Sequence, residues 1–225
     1  MEELELILSN NTVFLVFGGH GSIGSSCVTK LDTFGRVIEG SRNLDTLSKQ
    51  LDDNEVVTGV VWAQGLNDSS SILNFDNRAF HDILQGNLVF ILESLSLLTS
   101  KGKLRAGSNL VFVSSIWSQL SRPEKLNYGI SKAAVAGLMK SAAVDLGPLG
   151  VSVNAVAPGP IDSQMTRNQL SADQLTRITT ETPLKRLVTI DEVSNVITKF
   201  ATGQMSGITG QEVIIDGGWG VTKLV

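Results

Sequence analysis

Short, nearly unbroken apolar runs alternate along the chain with longer stretches whose apolar positions recur every three to four residues. The first run, Thr12–Phe17 (TVFLVF), breaks into glycines and opens a helix over Ile23–Leu31. Arg36–Glu39, Val56–Ala63, Asn109–Val113, Ser152–Val156 and Val213–Ile215 are the other strand candidates. Helical spacing marks Leu44–Leu51, Phe80–Thr99, Tyr128–Leu146 and Ile190–Ala201. Strands that are apolar on both faces and separated by helices predict a parallel sheet covered on both sides. The fold class is α/β: three layers, doubly wound, with six strands. Leu66–Ser71 reads as a loop, and Ser163–Pro183, which has few strand signals, as a helical flap or loop. With no repeat, linker or low-complexity stretch, residues 1–225 read as one domain.

Composition narrows the class. Hydrophobic residues at 42% and charged residues at 18% exclude disorder for the chain as a whole. Lys and Arg number 18 against 22 Asp and Glu, a net charge of −4, which leaves no electrostatic footprint for nucleic acid or an anionic membrane. One cysteine, Cys27, cannot close a disulfide within the chain and reads as a small core residue; two histidines cannot build a His-rich metal centre. The start, Met1-Glu2-Glu3-Leu4-Glu5, is acidic where a presequence would be basic, and no apolar run approaches the ~20 residues of a membrane span. The expectation is a reducing, cytoplasmic location, with no metal.

The glycines at the end of the first strand change the picture. Phe17-Gly18-Gly19-His20-Gly21-Ser22-Ile23-Gly24 stands where a strand hands over to a helix. There a backbone without side chains can approach a pyrophosphate, and the helix N-terminus offers free N–H groups and a positive dipole end. A tight turn needs glycine with no ligand at all, so the position between strand and helix is what favours a nucleotide. Gly18, His20, Ser22, Ile23 and Gly24 are the candidate contacts, His20 either touching the ligand or standing there as an incidental polar side chain. The second strand ends in Gly40-Ser41-Arg42-Asn43, the tip that faces the adenosine ribose in a dinucleotide site. An acidic residue there would favour NAD(H). Ser41 and the planar fork of Arg42 favour the 2′-phosphate of NADP(H) instead, and Glu39 stands three residues too early.

Tyr128 and Lys132 are four residues apart on a helix, hence on one face, and Tyr128 is the chain's one tyrosine. An ammonium beside a phenol favours the phenolate, and a phenol so tuned exchanges a proton with a carbonyl or alcohol oxygen. Such a pair is common on helix surfaces, and context has to lift it above that. Ser115 follows the strand Asn109–Val113 and reaches the same sheet edge, and Asn87, a poor helix former, sits inside the preceding long helix.

Together these segments resemble the short-chain dehydrogenase/reductase family over nearly the whole chain. Asn87, Ser115, Tyr128 and Lys132 match its Asn–Ser–Tyr–Lys tetrad in order and spacing. Ala155-Val156-Ala157-Pro158-Gly159-Pro160-Ile161-Asp162-Ser163 matches the segment that holds the nicotinamide. Gly207-Ile208-Thr209-Gly210-Gln211 and Asp216-Gly217-Gly218 match its C-terminal signature. The resemblance implies a Rossmann-type sheet on which Tyr128 is the acid/base and Ser115 orients the carbonyl. Lys132 would bind the nicotinamide ribose and depress the tyrosine pKa, and Asn87 would position a water for proton relay. Ala63, Gly65, Pro158, Gly159, Ile161 and Ser163 would line the cofactor path. It also implies an NADP(H)-dependent carbonyl reductase or alcohol dehydrogenase acting on a small organic substrate, assembled as a homodimer or homotetramer through Phe80–Thr99 and Tyr128–Leu146. The flap, residues 163–183, would set substrate choice, with Trp117, Gln119 and Leu120 as candidate pocket residues.

The sequence departs from the family in three places. Ser22 replaces the loop's middle glycine, and Gly21 stands where NADP-preferring members often carry a basic residue. Trp62-Ala63-Gln64-Gly65 replaces Asn-Asn-Ala-Gly, and the asparagine's structural bonds are expected to be lost. Only the 13 residues 43–55 separate Arg42 from the next strand, whereas a strand–helix–strand unit needs ~30. One strand of the usual seven, with its helix, is therefore expected to be missing, leaving the adenine pocket without its acidic cap unless Asp52 or Asp53 stands in. The main rival is a non-catalytic dinucleotide-binding or regulatory protein, against which the full tetrad speaks. An enoyl reductase would space tyrosine and lysine more widely. An extended epimerase or dehydratase would need more than the 62 residues that follow Ser163.

Overall fold

The structure, a computed structural model, describes residues 12–51, 55–163, 166–167 and 170–222. Six strands form one parallel sheet among the described residues: β1 (Val13–Phe17), β2 (Arg36–Glu39), β3 (Gly59–Trp62), β4 (Asn109–Val113), β5 (Ser152–Pro158) and, last in the chain, β8 (Glu212–Ile215). Their spatial order is β2-β1-β3-β4-β5-β8. The chain leaves β1 to one side for β2 and then returns to its other side for β3. The C-terminal edge between β1 and β3 is thus the point where an open α/β sheet opens a crevice.

Every residue of β1, β3 and β4 is buried, because helices cover both faces. Alternate side chains go to opposite layers. Val13, Leu15 and Phe17 of β1 pack with Leu98, Val135 and Met139; Phe14 and Val16 pack with Cys27, Leu31, Ile197 and Phe200. The first layer holds α2 (Leu44–Gln50), α4 (Phe90–Ser100) and α5 (Leu126–Leu146); the second holds α1 (Ser22–Leu31) and α7 (Ile190–Ala201). Cys27 is fully buried, and burial pushes its thiol up to about 12, so it is a core residue with no nucleophilic character.

Two elements were not anticipated. The predicted helix Phe80–Thr99 is α3 (Asn77–Leu84) running into α4 through a π-helical turn, Gln85–Val89. The continuous helix Asn77–Ser100 matches a membrane span in length and hydropathy, yet it buries Asn87 and Ser94 against the core. Within the flap, β6 (Ile161–Asp162) pairs with β7 (Val188–Thr189), and α6 (Ala172–Glu181) stands between them with no buried residue. Residues 164–165 and 168–169 of the flap, Asp52 and Asp53, and the termini lie outside the described residues.

The sheet ends at β2, a four-residue edge with charged ends, a form that resists pairing with another strand. Arg36 pairs with Glu55. Gln50 of α2 closes the tip: its Nε2 donates to Glu39 O at 3.0 Å and its Oε1 accepts from Ser41 N at 2.9 Å.

Candidate functional site

A cleft of about 1550 Å³ runs along the C-terminal edge of the sheet, from the β1–α1 loop to the flap. Pockets for one small ligand hold ~300–1,000 Å³, so this one has room for two. At one end Gly18 takes φ +77°, a conformation open to glycine, and a Cβ there would meet Gln64 N at 2.6 Å. The loop therefore lies directly on Ala63–Gln64. Gly21 N donates to Gly18 O at 2.9 Å and Gly21 caps α1 with no side-chain bond, leaving Ser22 and Ile23 at the start of the helix lining the cleft, while Gly24 is buried against Gly18. No acidic residue occupies that first turn. The donor set and the cradle fit a pyrophosphate.

Ser41 and Arg42 line the same end, as sequence reasoning anticipated, but Glu39 does too. Its carboxylate lies over Gly19, and its Oε2 is 3.1 Å from Nδ1 of the fully exposed His20. Glu39, expected to stand three residues too early for the ribose, reaches the glycine loop: β2 lies beside β1, so its last side chain projects across the loop that leaves β1.

The tetrad residues converge at the other end. Ser115 follows β4, while Tyr128 and Lys132 come from the first turns of α5. Lys132 is 3% exposed; its Nζ donates to Val113 O at 2.8 Å and lies 5.7 Å from the centre of the Tyr128 ring. Asn87 is 1% exposed and reaches the group from the π turn. Its Oδ1 accepts from Leu66 N at 2.6 Å, and its Nδ2 donates to Leu66 O at 2.9 Å and Ser131 Oγ at 2.9 Å. Ser131 Oγ donates in turn to Tyr128 O at 2.8 Å. A π turn frees backbone groups and is found most often at functional sites. Gly65 leaves the space between Lys132 Nζ and Asn87 Oδ1 open, since a Cβ there would stand 3.5 and 3.8 Å from them.

The electrostatics differ from the expectation that Lys132 lowers the tyrosine pKa. Burial pulls Lys132 down to about 8, with Glu212 opposing. Burial also raises Tyr128 above the usual phenol value, the Ser115 hydroxyl bond partly offsetting it. In the chain alone the ammonium is aimed at Val113 O, and the phenol is held protonated at neutral pH.

The remaining predicted residues fall into two groups. Ala63, Gly65, Pro158, Gly159, Ile161 and Ser163 line the cleft, as do Trp117 and Leu120. Gly159 packs on Asp216, whose carboxylate accepts from Gly218 N at 2.7 Å and Gly220 N at 2.6 Å, so the C-terminal signature shapes the floor of this segment. Gln119 turns away and donates to Glu212 at 2.8 Å. His81 lies outside the cleft. Sequence reasoning missed three features. Trp62 supplies a bond where the asparagine's were expected to be lost, its Nε1 donating to Ser94 Oγ at 2.9 Å. Gln64 is buried at the cleft wall with neither amide atom partnered. Lys125, three residues before Tyr128, also lines the cleft. Among the described residues no cluster of His, Cys, Asp and Glu could hold a metal.

Residues 42–220 match the family model described as Enoyl-(Acyl carrier protein) reductase. The 3-oxoacyl-(acyl-carrier-protein) reductase FabG of Staphylococcus epidermidis is 30% identical over 68% of this chain and 63% of its own length, so the match takes in just under two thirds of that relative. FabG of Buchnera aphidicola (strain Bp) is 32% identical over 65% of this chain and 60% of its own. Among solved structures, a short chain dehydrogenase family protein from Francisella tularensis superposes with a TM-score of 0.84 at 22% identity, covering 94% of this chain and 99% of that one. A gluconate 5-dehydrogenase from Burkholderia cenocepacia, solved with NADP and tartrate, gives 0.83 at 19% identity over 98% and 100%. With the family model matched across most of the chain, the fold shared with these structures and the tetrad gathered at the edge of the sheet, this chain is a member of the short-chain dehydrogenase/reductase family.

Proposed function

We propose that the protein is an NADP(H)-dependent carbonyl reductase, working reversibly as an alcohol dehydrogenase, with Tyr128 as its acid/base. The observation that carries this reading is the half-buried Tyr128 on the cleft wall beside the buried Ser115 and Lys132, with the buried Asn87 behind them, opposite a glycine cradle suited to a pyrophosphate. A non-catalytic dinucleotide binder has no use for a buried, charge-bearing lysine beside a half-buried phenol.

The bound cofactor supplies the hydride. Gly18, Ser22, Ile23 and Gly24 hold its pyrophosphate, with His20 at the rim. Ser41 and Arg42 take the 2′-phosphate, with Glu39 as the carboxylate that would favour NAD(H) instead. Ala63 and Gly65 would line its path, and Pro158, Gly159, Ile161 and Ser163 would hold the nicotinamide end. Ser115 orients the substrate oxygen. Tyr128, protonated at neutral pH, donates its proton to that oxygen as the carbonyl carbon is reduced. Lys132 Nζ and a water in the space above Gly65, held at Asn87, return a proton to it. The raised phenol pKa favours reduction at neutral pH, since a protonated tyrosine is an acid and not yet a base.

Two names among the relatives point to thioester substrates, a 3-oxoacyl group in FabG and an enoyl group in the family description. The four-residue spacing of Tyr128 and Lys132 favours the first. Ile130 and Val144 on α5 and Leu92 on α4 are exposed apolar side chains, and we assign them to a homodimer or homotetramer contact, checked by light scattering at micromolar concentration. NADPH oxidation against a panel of carbonyl compounds, with 3-oxoacyl and enoyl thioesters included, tests the function. Tyr128→Phe should reduce kcat by ~10²–10⁴, and turnover untouched by that change would remove the acid/base assignment.

A further inference from the structure

Lys125, on the turn that leads into α5, is 8% exposed and stands at the cleft wall with Nζ 5.4 Å from the centre of the Tyr128 ring. Its Nζ donates to Asn67 Oδ1 at 2.7 Å, and it makes no ion pair among the described residues. Burial holds its pKa below the ordinary lysine value and nearby Arg122 pushes the same way, while Asp68 and Glu124 oppose. Asp68 is engaged elsewhere, its Oδ1 accepting from Ser70 and its Oδ2 from Asn127. An ammonium carries three donors, so two remain. A charge taken out of bulk water without a counter-ion is costly, and an anion in the cleft relieves that cost. Around the same space, Trp117 and Trp219 stack edge to face at 5.9 Å, and the Arg122 guanidinium lies 5.6 Å from the Trp117 ring centre. Neither the proton relay nor the cofactor path makes use of Lys125.

We propose that Lys125 is the counter-ion for an oxyanion, a carboxylate or a phosphate, carried by the carbonyl substrate close to its reacting carbon. The proposal rests on the reductase reading of this cleft and sets its substrates apart from the thioesters named among the relatives, as compact anionic oxo compounds. Trp117 and Trp219 cover the apolar part of such a molecule, and Arg122 adds a second cation at the outer side.

Two matched pairs separate the sources of the anion: acetoacetate against methyl acetoacetate, and dihydroxyacetone phosphate against dihydroxyacetone. Binding is followed by the fluorescence of the cleft tryptophans, with NADPH oxidation recorded in parallel. In the wild type, the anionic member of at least one pair should bind about tenfold or more tightly than its neutral partner, equivalent to ~1.4 kcal/mol. The pair that shows the difference identifies carboxylate or phosphate. Lys125→Met should abolish that preference, and Lys125→Gln, which keeps a donor for Asn67, should abolish it as well. Equal binding within both pairs, no detectable binding of either anion at millimolar concentration, or a preference that survives in both variants would overturn the proposal. A charge preference without NADPH oxidation would keep the anion site and remove the reductase reading; oxidation without a charge preference would do the reverse.

Discussion

The two ends of the cleft are built to different standards. Around Tyr128 the groups are buried and cross-linked: Asn87 spends both amide hydrogens and an acceptor on Leu66 and Ser131, and Lys132 is fixed to Val113 O. Around Arg42 the sheet stops at a four-residue edge, His20 is fully exposed, and the exposed Gln50 side chain closes the tip of β2. Chemistry needs fixed geometry, because a small displacement of a proton donor costs rate, whereas the adenosine end contributes binding energy that several contacts can share. A less tightly held end around Arg42 is therefore compatible with a fixed arrangement around Tyr128.

Lys132→Met should break the catalytic end most severely. We expect kcat/KM to fall by ~10² or more, from loss of the ribose contact and the proton relay, while stability rises. The sign follows from a lysine whose folded pKa, about 8, lies below its unfolded value. The penalty for burying the ammonium is fully present below pH 8 and is lost as pH rises from 8 towards the unfolded value. Lys132→Met should thus stabilise the protein by on the order of 2–3 kcal/mol at pH 7, with the gain shrinking above pH 8, as read by urea denaturation at several pH values. Wild-type activity should decline as pH rises through about 8, when Lys132 loses its charge.

Asn87→Ala should come next. It leaves Leu66 N–H and C=O without their partner and removes the amide that donates to Ser131 Oγ, a loss of about 2–3 kcal/mol in stability, and lowers kcat while dinucleotide affinity holds. Smaller is Glu39→Gln at the adenosine end. Removing a carboxylate beside the glycine loop should tighten NADPH binding about two- to fivefold at low salt and leave NADH binding equal or weaker, an effect that added salt reduces. Similar in size is Gln64→Leu. A buried amide without partners is replaced by an apolar group of similar size, which should stabilise the chain by about 1 kcal/mol in the absence of cofactor.

These residues also mark how far the sequence could be read. The sheet was legible because each strand is buried on both faces and so appears as an unbroken apolar run, and the i, i+4 pair of Tyr128 and Lys132 was legible because helical geometry fixes their shared face. The π turn at Asn87 was not, since one extra residue in a helix has no propensity signature; Gly86, which leaves room for Leu66, was the nearest local hint. Glu39 was weighed only against the ribose and Lys125 was missed, because their reach depends on the neighbouring strand and loop, β1 for one and Asn67 for the other. Two-residue strands such as β6 and β7 are too short for any period to show. Trp62 was read as a loss, although a single indole N–H to Ser94 takes up the tie from β3 to the helix layer.

The central claim, that the end around Arg42 holds a phosphorylated dinucleotide beside the tetrad, is tested most directly by titrating the protein with NADPH and with NADH and following nicotinamide fluorescence. The account predicts that NADPH binds about tenfold or more tightly than NADH, and that Arg42→Ala erases the difference. Binding of neither dinucleotide would contradict it and favour a non-catalytic role, and an NADH preference would transfer the ribose contact from Arg42 to Glu39.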